Sequence, residues 1–201
     1  VGGDKQLDYL PLPVEANPVL GLRGIRLALT QPDVLETQLR ALLMASKDHP
    51  LRIMLPMIKD IAEFRAVKVI YDRLLHEIPA SQRATDVQLG VMIEVPSSGH
   101  PELSAQADGL HPAVLRLIVM TVAAAHSQGK WVGVCGELAS DAVAIPVLVG
   151  LGVDELSVSA RQIPLVKARL REFDFPEAQA SAQLALAQAT SDDVRDALEA
   201  R

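Results

Sequence analysis

Four short runs, residues 51–57, 87–95, 131–135 and 155–158, are apolar on both alternating faces, and each gives way to a polar or glycine turn. A run of that kind suits a strand covered on both sides, which is the usual condition of a parallel sheet. Between and after the runs lie segments with helical period, residues 33–46, 60–77, 112–127, 141–151 and 163–172, several opened by an Asp or Ser capping residue. Parallel strands need crossovers of a dozen or more residues, and the spacing provides them. The chain is therefore expected to be α/β, built of βα units in either a closed barrel or a doubly wound sheet. An eight-unit barrel usually takes about 250 residues, whereas four strands and a possible stub at Val1 are legible here, so the set of units reads as incomplete. The tail, residues 176–201, is rich in Ala, Gln and Leu, with Thr190-Ser191-Asp192-Asp193 as a cap, and predicts one or two peripheral amphipathic helices.

Composition narrows the function classes. With 19 basic and 25 acidic residues the formal charge is −6, which argues against a nucleic-acid or anionic-membrane partner. No uninterrupted apolar run reaches the length of a membrane span, and Val1-Gly2-Gly3-Asp4-Lys5 lacks the shape of a signal peptide. The single cysteine, Cys135, makes no internal disulfide, so a reducing cytoplasm is the simpler setting. The chain opens at what reads as a strand-to-loop junction without an initiator methionine, and further protein is expected upstream.

In both α/β architectures ligands gather beyond the carboxyl ends of the strands. Glu94 interrupts the apolar run Val91-Met92-Ile93-Glu94-Val95-Pro96, where a lone carboxylate needs either a cationic partner or a metal such as Mg²⁺; the residues leave both open. Arg52 opens the run Leu51-Arg52-Ile53-Met54-Leu55-Pro56, and Arg23 and Arg26 lie in the segment from Asn17; the planar fork of any of them suits a phosphate or carboxylate, as it also suits a helix end. Gly2-Gly3-Asp4-Lys5 is a weak candidate for an anion-binding loop. Cys135 ends a strand before Gly136, where a thiol can exchange a proton with substrate or simply pack as a small hydrophobe. The five histidines, His49, His76, His100, His111 and His126, have no metal-ligand spacing and read as structural or solvent-facing.

Taken in order, Gly2-Gly3-Asp4-Lys5, Asn17-Pro18-Val19-Leu20-Gly21-Leu22-Arg23-Gly24-Ile25-Arg26, Arg52-Ile53-Met54-Leu55-Pro56-Met57, Gly90-Val91-Met92-Ile93-Glu94-Val95-Pro96 and Gly133-Val134-Cys135-Gly136-Glu137-Leu138-Ala139 resemble the phosphoenolpyruvate-binding domain of the Enzyme I family. These are the phosphoenolpyruvate-protein phosphotransferases of bacterial sugar uptake, with the fused multiphosphoryl transfer proteins. The likeness extends through Leu151-Gly152-Val153-Asp154-Glu155-Leu156-Ser157-Val158-Ser159. It implies a (β/α)₈ TIM-type barrel that binds phosphoenolpyruvate with Mg²⁺, forms a homodimer, and passes the phosphoryl group to a histidine on a separate domain and on to the carrier protein HPr. By the same resemblance Arg23 and Arg52 match phosphate-binding arginines, Glu94 a Mg²⁺ ligand, and Cys135 the acid that protonates the enolate of pyruvate.

The chain departs from the family pattern in two ways. The phosphohistidine and HPr-binding domains are absent, so residues 1–201 are expected to be a partial barrel domain. After Pro96-Ser97-Ser98 the family carries a further βα unit, with a second metal carboxylate, an Asn and an arginine, before the stretch matching Gly99-His100-Pro101-Glu102-Leu103. A barrel does not close with a strand deleted, because edges would be exposed on either side. Ser98 and Gly99 are therefore expected not to be covalent neighbours in the parent protein. Competing expectations are the barrel of pyruvate phosphate dikinase or phosphoenolpyruvate synthase, which shares the Arg, Glu and Cys motifs, and a catalytically silent dimerisation or regulatory module.

Overall fold

The computed structural model describes residues 21–94 and 108–200. The chain divides into two compact units, Val1–Pro101 and Glu102–Arg201. The loop Gly2-Gly3-Asp4-Lys5, the segment 17–20, the junction Ser98-Gly99 and His100 lie outside the described residues.

In the first unit, α1 (Ile25–Thr30) and α2 (Pro32–Ala45) precede β1 (Leu51–Leu55), and α3 (Ile61–Glu77) connects β1 to β2 (Val87–Val91). The two strands are parallel, in a register that pairs Leu51 with Val87 and Leu55 with Val91. Proline starts α2, where its missing N–H leaves no bond unmade. Asp60 caps α3 by accepting the amides of Ala62 and Glu63 at 2.9 and 3.0 Å. The core joins Leu35, Leu39 and Leu43 of α2 to Val67, Tyr71 and Leu74 of α3 and to Ile53 and Leu55 of β1. In β1 those residues alternate with exposed Arg52 and Met54, so one face of the strand is packed and the other open.

In the second unit, α4 (Pro112–His126) leads to β3 (Gly133–Cys135), a 3₁₀ turn over Glu137–Ser140 leads to α5 (Ala144–Gly150), and β4 (Glu155–Ser157) follows. β3 and β4 are parallel, with Cys135 opposite Ser157. Then come α6 (Ile163–Arg169), α7 (Phe175–Leu186) and α8 (Ser191–Glu199). Reciprocal capping boxes start the last two, Asp174 with Glu177 for α7 and Thr190 with Asp193 for α8.

The α/β alternation is present, and all four strands fall inside the expected runs. Among the described residues they form two separate two-stranded parallel sheets and no closed barrel. Two expectations need correction. The short helix α1 was not expected; it starts directly after Gly24, whose φ of 55° sets the entry turn. The tail is not wholly peripheral, because Ala178, Ala182 and Ala185 of α7 are at most 1% exposed. Ala182 and Ala185 pack with Ala144, Val147 and Leu148 of α5, since alanine allows two backbones to approach where longer side chains would hold them apart. Among the described residues no helix is long and apolar enough to cross a membrane.

Candidate functional site

In the first unit three of the singled-out segments meet at Met57, just beyond the carboxyl end of β1. Met57 is buried and holds a φ of 58°, a left-handed conformation that a residue with a Cβ seldom adopts. That turn aims its amide at Glu94, whose Oε1 accepts the bond at 2.8 Å. A Cβ built on Gly24 would lie 3.4 Å from Met57 Cγ and Sδ, so the Met57 side chain packs directly beside the Gly24 backbone. The backbone beside Arg23 and the carboxylate of Glu94 are therefore tied to a single residue.

The carboxylate is not set as the sequence suggested. β2 ends at Val91, and Glu94 lies three residues past it and is exposed, so burial does not force it to find a metal. What fixes it is the Met57 amide, which engages Oε1. No residue pattern announces that donor, because the signal is a backbone angle. A hard oxygen donor with a fixed orientation fits one ligand position for Mg²⁺, which is commonly held by one or two carboxylates together with water and substrate phosphate. Among the described residues no group of three His, Cys, Asp or Glu is close enough to hold a metal ion, so Glu94 does not by itself make such a site.

Arg23 is half-buried and its carbonyl accepts the amide of Arg26 at 3.2 Å, starting α1. The Arg26 guanidinium donates to the Gly21 carbonyl at 3.5 Å. Arg52 is exposed near the amino end of β1, opposite Gln88. At strand rise it is about 10 Å from Leu55, so its guanidinium must reach along the open face of the sheet to serve the carboxyl end.

Cys135 lies in the second unit, as the last residue of β3, with its thiol free and exposed. A small buried hydrophobe would pack away from solvent, and this one does not. Gly136 follows with a φ of 81° and nothing within 4 Å of where a Cβ would be, which leaves open space beside the thiol. The 3₁₀ turn ends at Asp141, whose Oδ1 accepts the amides of Val143 and Ala144 at the start of α5. Burial pushes the Asp141 carboxyl up, but the Arg195 guanidinium and the two amides outweigh it and hold the group below the usual carboxylate range.

At the amino ends of β3 and β4, Asp154 Oδ2 accepts both the His126 imidazole and the Val132 amide at 2.8 Å. The His126 hydrogen bond, followed by that amide, lowers its carboxyl. His111 Nδ1 accepts the Ala113 amide to cap α4, and His76 Nδ1 lies 2.7 Å from the Asp72 carbonyl. These three histidines thus have structural partners.

A family model described as PEP-utilising enzyme, PEP-binding domain, matches residues 1–100 and 98–175. A multiphosphoryl transfer protein of Xanthomonas campestris pv. campestris is 43% identical over 232 aligned positions, which cover 100% of this chain and 27% of that protein. A phosphoenolpyruvate-protein phosphotransferase of Bacillus subtilis is 38% identical over 96% of this chain and 40% of its own length. One from Haemophilus influenzae is 37% identical over 99% and 40%. The chain thus spans well under half the length of these curated relatives. The first alignment is longer than the 201 residues it covers, so the relative carries inserted positions that this chain lacks. The family match itself breaks at residues 98–100.

Proposed function

The chain belongs to the family of PEP-binding domains of PEP-utilising enzymes, and from that premise we propose that it is the phosphoenolpyruvate-binding and dimerising part of a cytoplasmic phosphoenolpyruvate-protein phosphotransferase. In the intact protein, residues 1–201 belong to one (β/α)₈ barrel, with a further βα unit between Ser98 and Gly99. The observation that carries this reading is the junction at Met57, where the segment of Arg23, the end of β1 and Glu94 are held together. Phosphoryl transfer asks a protein chiefly for positioned charge, and the Met57 amide orients one such charge, Glu94, at this end of the unit.

Arg23 and Arg52 hold the phosphate of phosphoenolpyruvate, each offering paired N–H donors that a lysine does not. Glu94, oriented by the Met57 amide, is one protein ligand for Mg²⁺, which when bound neutralises charge on the phosphate oxygens. As the bond between phosphorus and the enol oxygen breaks, the phosphoryl group passes to a histidine of a separate domain and then to HPr, and the bonding electrons remain on the enolate. Cys135 gives its proton to the enolate methylene carbon, which yields pyruvate and a thiolate; in the reverse direction the thiolate takes that proton back.

The test is made on the intact parent protein. Cys135→Ala is expected to abolish pyruvate formation while phosphoenolpyruvate still binds with near-normal affinity by calorimetry. Unchanged turnover would remove Cys135 from the chemistry. A second reading is favoured by the positions present in the relative and missing here. If a peptide map finds Ser98 bonded directly to Gly99, Glu94 lacks its companion ligand and the chain is a silent dimerisation module, without Mg²⁺-dependent affinity for phosphoenolpyruvate.

A further inference from the structure

We propose that Arg195, in the last helix, is a positioning residue for the turn that carries Cys135. The inference rests on the reading of Cys135 as the proton donor and deepens it. Arg195 lies beyond the family match, which ends at residue 175, and its partners are far away in sequence. Its Nε donates to Asp108 Oδ2 at 3.0 Å, and its Nη2 donates to Asp141 Oδ2 at 2.9 Å. Each of those carboxylates already organises backbone with its other oxygen. Asp108 Oδ1 accepts the Leu110 amide at 2.9 Å, and Asp141 Oδ1 accepts those of Val143 and Ala144. One guanidinium therefore fastens the loop that precedes α4 to the end of the 3₁₀ turn that follows Cys135.

Between these two anchor points the chain is in close contact. A Cβ on Gly109 would come within 2.9 Å of Leu138 Cδ2, so Leu138, three residues after Cys135, is pressed against the backbone of the loop. Leu110 and Ala139 on either side are fully buried. The turn has little freedom so long as Asp108 and Asp141 stay together, and without Arg195 they are two partly buried like charges that repel. The arginine is itself held in place, because Val194 is fully buried in the second core and Thr190 and Asp193 cap α8. The five donors of a guanidinium in one plane suit two carboxylates on separate elements, and an ammonium does not replace that geometry.

The experiment compares Arg195→Leu, Arg195→Lys and Cys135→Ala in the intact parent protein. It reads steady-state pyruvate formation and the rate of iodoacetamide alkylation of Cys135, followed by peptide mass spectrometry at fixed pH. Displacing a reacting group by about 1 Å can lower a rate by up to about a hundredfold. Arg195→Leu is accordingly expected to lower kcat by about ten- to a hundredfold with KM for phosphoenolpyruvate within about twofold, and to change the alkylation rate severalfold. A merely structural loss would lower the active fraction and leave the alkylation rate of the folded protein as it was. Arg195→Lys keeps the charge and the fold but not the fork, and is expected to fall between; it carries the test if the leucine variant does not fold. Wild-type kcat and alkylation in Arg195→Lys, or in a folded Arg195→Leu, would overturn the proposal. If instead Cys135→Ala turns over normally, the proton-donor reading falls, while the alkylation rates still decide whether Arg195 sets the turn.

Discussion

Replacing Gly150 by alanine tests the packing of the second unit at its tightest point. Gly150 is the last residue of α5. A Cβ built on it would lie 2.0 Å from the carbonyl oxygen of Ala178, 2.4 Å from its carbonyl carbon and 2.9 Å from the Cβ of Ala182. Ordinary contact begins near 3.4 Å, so α7 would have to recede by more than 1 Å, and its backbone cannot swing aside as a side chain can. That movement weakens the contacts made by Ala178, Ala182 and Ala185, all of which are buried. A gap of that size forfeits a quarter to a half of each dispersion contact, and overpacking of this kind typically destabilises by about 1–3 kcal/mol. Against it stands a helix-propensity gain of at most about 1 kcal/mol from Gly to Ala. The net expectation is a loss of about 1–2 kcal/mol, which at a urea slope of roughly 1–2 kcal/mol/M lowers the midpoint by about 0.5–2 M. Trp131, the single tryptophan, lies beside β3 and reports this unit by fluorescence. A midpoint for Gly150→Ala equal to or above wild type would refute the close approach of α5 and α7.

Two further expectations follow from the second unit. Asp174→Ala removes the capping box of α7 and should destabilise by about 1 kcal/mol, with faster hydrogen exchange at the Glu177 and Ala178 amides; unchanged protection there would count against the cap. Asp141, whose folded pKa is lowered, contributes stability that is fully present above its unfolded value of about 4 and is lost as pH falls through the lower folded value. Urea midpoints by Trp131 fluorescence should therefore fall less steeply below pH 4 in Asp141→Asn than in wild type, with Asp154 supplying part of the slope that remains; identical slopes would show that Asp141 is not held by Arg195.

The strands were legible because Val, Ile, Leu and Met cluster where a parallel sheet needs them, yet each expected run is longer than the strand that forms. The run from 87 to 95 shows why: pairing in β2 ends at Val91, where β1 has given way to the turn at Met57, while the apolar pattern continues. Glu94, Arg23, Arg52 and Cys135 were all singled out from residue type and position. Their setting was not, since the amide donor to Glu94 comes from a turn with positive φ at Met57, which no composition rule assigns to methionine. The clasp of Arg195 on Asp108 and Asp141 spans 87 and 54 residues, and no local pattern joins residues that far apart. The buried face of α7 was missed for a different reason: alanine is neutral on a hydropathy pattern, and its meaning here is steric.

The parallel pairing of the strands also bears on the order in which the chain folds. Bringing Gly133 to Glu155 closes a loop of roughly 22 residues, and bringing Leu51 to Val87 closes one of roughly 36, so the first closure is less costly in chain entropy by about 0.4 kcal/mol. That difference alone is about a twofold preference. The tie from Asp154 to His126 and to the Val132 amide lies at the near ends of that shorter loop and adds a contact available as soon as it closes. The carboxy-terminal pair is thus the faster nucleus, and in refolding the fluorescence of Trp131 should recover before the β1–β2 ladder gains its hydrogen-exchange protection.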